Sequence, residues 1–158
     1  MKQPLNKGVS FGLTSGAITT LGLMVGLHSE TKSAAVVLGG ILTIAVADAF
    51  SDALGIHISE ESENQHAHRD VWRSTLATFL TKFVLAMSFL IPVLLLQLST
   101  AVIVSVIWGM AVLAVLSYLI AKNQGKRPWK VIGEHLGVAG LVIVIAHFLG
   151  DWISSYGK

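Results

Sequence analysis

The sequence predicts an all-α polytopic membrane protein, a five-helix transmembrane bundle that forms a single domain over residues 1–158. Three observations lead there. Apolar residues make up 53% of the chain and charged ones 13%, well below the roughly 25% charge of a soluble domain. Several runs of about 20 residues carry almost no charge, the length that crosses a hydrocarbon core roughly 30 Å thick. None shows the period-2 alternation of a membrane barrel strand, which leaves the helix as the fold that satisfies its own backbone in lipid.

The first helix is about Val9–Leu27. Two lysines ahead of an apolar run imitate a signal peptide, but the run is long, rich in Gly and Thr, and lacks an A-x-A cleavage pattern, so it reads as a retained span. The second is about Ala34–Ile58 and continues as helix beyond the membrane surface. The third, about Ser74–Gln97, is bent near Pro92. The fourth is about Thr100–Ala121 and the fifth about Val131–Ile153. Lys2 and Lys7 precede the first helix, Arg69, Arg73 and Lys82 lie between or near the second and third, and Lys122, Lys126, Arg127 and Lys130 separate the fourth and fifth. The other side holds Lys32 and Lys158. This asymmetry places the N-terminus in the cytoplasm and the C-terminus outside. Trp72, Trp129 and Trp152 fall near span ends, where interfacial aromatics sit.

Composition also removes functions. The formal charge of +2 comes from short loops without an aromatic-interleaved basic patch, so no nucleic acid is expected as partner. Cysteine is absent, which excludes disulfides, thiolate metal sites and thiol catalysis. No H-E-x-x-H, phosphate-cradling loop or nucleophile–base spacing occurs, so the chain is read as a non-enzyme with no catalytic residue and no bound cofactor.

The stretch DAFSDALGIHISEESE, Asp48–Glu63, closes an apolar run with acids. At about 100° per residue, Asp48, Asp52, Gly55, Ser59, Glu63 and His66 share one sector of the second helix, widened by Ser51 and Ser62. An Asp deep in a bilayer costs about 2.5–3.5 kcal/mol on insertion scales and normally faces a cavity or a partner. Two on one face repel when ionised unless a cation sits between them, and a divalent ion suits such oxygen ligands. The expected metal set is therefore Asp48 and Asp52, with Ser51, Ser59, Glu60, Glu63 and His66 lining the approach. The alternative is a structural pair satisfied by Lys82 or by threonine hydroxyls. The acidic segment ISEESENQHAHRD reads equally as a solvated helix end, and His66 and His68 do not share a helical face.

The other helices supply a setting. Gly8, Gly12 and Gly16, then Gly22 and Gly26, allow close helix contact, between protomers or within one bundle. Ser15, Thr19 and Thr20 add weak oxygen ligands. On the third helix Ser74, Thr78, Thr81 and Lys82 share a side; on the fifth, Gly133, Gly137, Gly140, His147 and Asp151 do. His147 and Asp151, one turn apart, suit a metal, a proton or an ordinary hydrogen bond. The fourth helix, with Ser105, Trp108, Gly109 and Tyr118, is read as packing.

These residues resemble the vacuolar iron transporter family. SGAITTLGLMVGL, Ser15–Leu27, is similar to that family's D-G-[IL]-[VT]-[TS]-x-x-x-L-x-x-G pattern, and SDALGIHISEESE, Ser51–Glu63, to its S-M-A-x-G-E-Y-x-S-x-x-S-[QE] pattern. Gly16, Thr20, Gly55, Ser59 and Ser62 fit; Ser15 stands where the family has Asp, Asp52 where it has Met, and Ile56 where it has Glu. The cytoplasmic Glu-rich metal-binding domain is replaced by a short connection, as in a small divergent prokaryotic-type member. The resemblance implies a homodimer contacting through the Gly-rich first helix, and exchange of Fe(II) or Mn(II) for protons. The expectation is thus a multi-pass transporter, in the cell membrane of a prokaryote, that exports a divalent metal ion from the cytoplasm. The alternative is a non-transporting scaffold or assembly subunit.

Overall fold

The computed structural model describes residues 3–63 and 67–156, so Lys2, His66 and Lys158 lie outside the described residues. It is helical with no strand among the described residues. Five helices are long and apolar enough to cross a membrane: Asn6–Thr31, Ala34–Glu63, His68–Leu95, Leu98–Asn123 and Pro128–Tyr156. These are the first to fifth spans, and they are the five apolar runs of the sequence. Each reaches past its run at one or both ends. Apolarity marks only the stretch that meets hydrocarbon, whereas the backbone keeps its helical hydrogen bonds into the polar interface.

Short connections make consecutive spans antiparallel, so Lys7, Glu60, Glu63 and Arg73 gather at one end of the bundle, and Thr31, Ser33 and Leu98 at the other. The first span is the most buried and the fifth the least. The first owes its place to glycine. A Cβ on Gly12 would come within 2.6 Å of the Thr78 carbonyl oxygen, and one on Gly8 would overlap that of Ser74. On another face Gly22 meets Val142 and Gly26 meets Ala146 of the fifth span. These glycines serve contacts inside one chain. Leu21, Met24, Ile41, Leu85 and Phe89 form the core around it. Large apolar side chains such as Phe50, Val84, Ile107 and Phe148 face outward, as they do where the solvent is lipid.

Two helical irregularities position the site. Pro92 cannot donate to the Ser88 carbonyl and its ring crowds it, so the third span breaks one turn earlier than the proline, at Phe89, whose N–H turns back to Ala86 at 3.1 Å. In the second span, Ile44–Asp48 is a π-helical turn. Its buried positions advance in fours, through Val37, Ile41, Ala45, Ala49 and Ala53. Each step of four drifts about 40° around a regular α-helix, and one wider turn restores the face to the core. Thr43 marks the onset, its hydroxyl bonding back to the Gly39 carbonyl at 2.8 Å.

Candidate functional site

Asp48 ends the π-helical turn at the midpoint of the second span, and Asp52 lies one α-helical turn beyond it. Spacing of four puts both on one side, at the edge of the buried face rather than its centre. Asp48 is 29% exposed and Asp52 19%. From the third span Lys82 reaches between them with its side chain 1% exposed. Its ammonium lies 2.5 Å from Asp48 Oδ2, forms a short contact with Asp52 Oδ2, and donates to Ser15 Oγ at 2.8 Å. Two of its hydrogen bonds go to Asp52 Oδ2 and Ser15 Oγ, and Asp48 is held beside it as an ion pair. Gly16 makes the approach possible, since a Cβ there would stand 3.3 Å from Lys82 Cγ. The place that the sequence assigned to a cation between two carboxylates is held by Lys82.

A second cluster of the same design lies two turns further along. Lys7 of the first span bridges Glu60 at 2.7 Å and Glu63 at 3.0 Å. Glu60 is fully buried, whereas Glu63 and Lys7 are about two-fifths exposed. Water therefore keeps part of the Lys7 charge solvated, and its replacement costs less than that of a fully enclosed lysine. Lys7→Met is expected to lower unfolding free energy by about 1–2 kcal/mol, between the values of exposed and buried pairs. Reversible unfolding by sodium dodecyl sulfate in mixed micelles measures it; a loss of 4 kcal/mol or more, the scale of a buried pair, would contradict a half-solvated bridge.

The proposed ligand set is only partly brought together. Asp48 and Asp52 meet; Glu60 and Glu63 meet separately, about 12 Å away along the helix axis. Ser51 is exposed on another side, lining a groove with Phe50, His57, Trp72 and Phe79. Ser59 offers its backbone carbonyl to Ser62, and His66 is outside the described residues. Gly55, placed by the helical wheel on the inner stripe, is exposed with nothing within 4 Å of an added Cβ. Ile56, off that stripe, is buried. Among the described residues no three His, Asp or Glu side chains form a group that could hold a metal ion.

At the opposite end, Ser29 Oγ and His147 Nδ1 share a 2.5 Å hydrogen bond, and His147 Nε2 stands 3.4 Å from Asp151. His147 thus bonds primarily to the first span. His57, which the wheel did not single out, hydrogen-bonds Thr75 at 2.9 Å and packs edge-on to Trp72; its position in the middle of an otherwise apolar helical face was the available signal.

Asp48 also lines an open cleft of about 580 Å³ between the first and second spans. Leu23, Leu27, Val36 and Ile44 form its walls, with Thr19 and Thr43. An acid that touches both a buried lysine and an open cleft can exchange partners, which a sealed ion pair cannot. The chain matches no protein-family model, no curated protein and no solved structure.

Proposed function

We propose that this protein is a membrane transporter that moves a cation in exchange for protons, with Asp48 and Asp52 as the groups that hold the cargo. The observation that carries the reading is Asp48, paired with Lys82 at mid-span and facing the cleft. Ionisable groups at that depth mark transport paths more often than packing, and transporters bind near the midplane beside irregular helix. Charge supplies the mechanism. Two carboxylates and one ammonium sum to one negative charge, which a proton or a singly charged cargo neutralises; a divalent cargo is balanced only when Lys82 withdraws from the pair. Proton and cargo together would leave surplus positive charge in low dielectric, so the two exclude each other and exchange.

The resemblance to vacuolar iron transporters makes Fe(II) and Mn(II) the first cargoes to offer, and movement out of the cytoplasm the direction to test. It also implies a homodimer. The face left for one is on the fifth span, where Gly133, Gly137 and Gly140 have open space beside them.

Flux into proteoliposomes under a pH gradient is the test. Asp48→Asn and Asp52→Asn are each expected to slow uptake about tenfold or more, the loss of one charge-assisted contact. A specific observation favours the rival reading, a scaffold subunit: Lys82 is buried and held by both carboxylates and by Ser15, as in a structural rivet. Folded wild type that moves no cation would establish the rivet, and flux indifferent to both Asn variants would remove the site.

A further inference from the structure

We propose that the cleft beside Asp48 takes a lipophilic organic cation, a body of aromatic or alkyl groups around one positive charge. This rests on the cation-transport reading and narrows its cargo.

The argument begins with the walls. Leu23, Leu27, Val36 and Ile44 offer no polar atom from their side chains, and the hydroxyl hydrogens of Thr19 and Thr43 are committed to the Ser15 and Gly39 carbonyls at 2.8 Å each. The charged group that the cleft presents is Asp48. A hydrated metal ion entering here would shed water against hydrocarbon and meet, among the described residues, no third acidic or histidine ligand. The cost of dehydrating a small ion would go largely uncompensated. A large cation with diffuse charge carries a weak hydration shell, and its apolar body gains from the same walls. Apolar lining with one placed charge is the usual composition of a small-molecule site, and about 580 Å³ falls within the range of about 300–1,000 Å³ that such sites occupy.

The charge arrangement agrees. The Asp48–Asp52–Ser15 cradle already accommodates a nitrogen cation on an alkyl stem, that of Lys82, and one negative charge remains over. Access agrees as well. Val36, Thr43 and Ala47 on the rim are exposed on the outer surface of the bundle, which in a bilayer is lipid. A lipophilic cation concentrates in that phase and reaches the cleft sideways, without crossing the acidic end at Glu60 and Glu63.

The experiment measures equilibrium binding of radiolabelled tetraphenylphosphonium to the full chain in phosphatidylcholine nanodiscs. Tetraphenylborate, of the same shape and opposite charge, is the control. Mn(II) uptake by proteoliposomes is measured in parallel. Saturable binding of the phosphonium and none of the borate is expected. Asp48→Asn and the cleft-filling Val36→Trp should each weaken it about tenfold or more, as loss of a charge-assisted contact and of the cavity respectively. Because the two variants alter the protein at different points, one that failed to fold would leave the other decisive. Equal binding of both ions, or binding that neither variant changes, would overturn the proposal by showing mere hydrophobic adsorption. Mn(II) uptake without phosphonium binding would overturn the cargo class and leave cation transport standing. Neither activity from folded protein would end both readings.

Discussion

Replacing Lys82 with methionine is expected to lower the unfolding free energy by about 3–5 kcal/mol, the cost of removing one partner from a buried ion pair. Methionine has a similar length and fills the slot beside Gly16, so the loss is electrostatic rather than a cavity. What remains is two half-buried carboxylates one turn apart. At about 5 Å and an effective dielectric of about 20 their repulsion is about 3 kcal/mol. Ser15 also loses its donor. The triple variant Lys82→Met, Asp48→Asn, Asp52→Asn removes every charge from the cluster and should recover most of the loss, because neutral amides can bond to one another and to Ser15. Reversible unfolding by sodium dodecyl sulfate, compared across wild type, single and triple variants, measures both halves. A single variant as stable as wild type would mean that Lys82 does not lie enclosed by the pair. A triple variant as unstable as the single would assign the loss to packing. The contrast with Lys7, whose bridge is partly in water, makes the pair of lysines an internal calibration of burial.

The number and placement of the spans were legible because a bilayer imposes one length on every stretch that crosses it, whereas their ends, which continue into the polar interface, were not. The site was half legible. Asp48 and Asp52 stand out because acids are rare in such runs, and Lys82 was one of two partners that the sequence offered. The orientation of the second span was not legible, for a physical reason. In water the buried face of a helix is its apolar face; in lipid the outer face is apolar too, so contrast disappears. A polar sector through Gly55 and Ser59 looked like the interior. The face that is buried instead carries Ala49, Ala53 and Ile56, and its signal was small side chains at a spacing of four. The π-helical turn at Ile44–Asp48 has no signature in residue type beyond the back-bonding Thr43. The glycine rows pose the same ambiguity: spacing says that two backbones approach closely, not whose backbones they are.

That ambiguity is resolved by what surrounds each glycine, and it leads to the second large effect. Gly150→Ala is expected to cost about 3 kcal/mol, at the upper end of ordinary overpacking. Its new methyl would overlap the Gly26 carbonyl oxygen and lie 2.8 Å from Ser29 Cβ and 3.1 Å from the Glu30 nitrogen. Two of those atoms are helix backbone, which cannot swing aside as a side chain can; the first and fifth spans would have to part. Parting would stretch the 2.5 Å bond between Ser29 and His147, so the loss extends beyond the clash. Gly137→Ala is the opposite case on the same helix. With nothing within 4 Å, alanine only removes the backbone freedom of a helical glycine, and a gain of about 0.5–1 kcal/mol is expected. Denaturant unfolding of the two variants decides both predictions. Should Gly137→Ala be as costly as Gly150→Ala, a second surface must cover Gly137 in the bilayer. Since the described residues present none there, the covering surface would belong to another molecule, and loss of a dimer band on crosslinking that variant would identify it as a second copy.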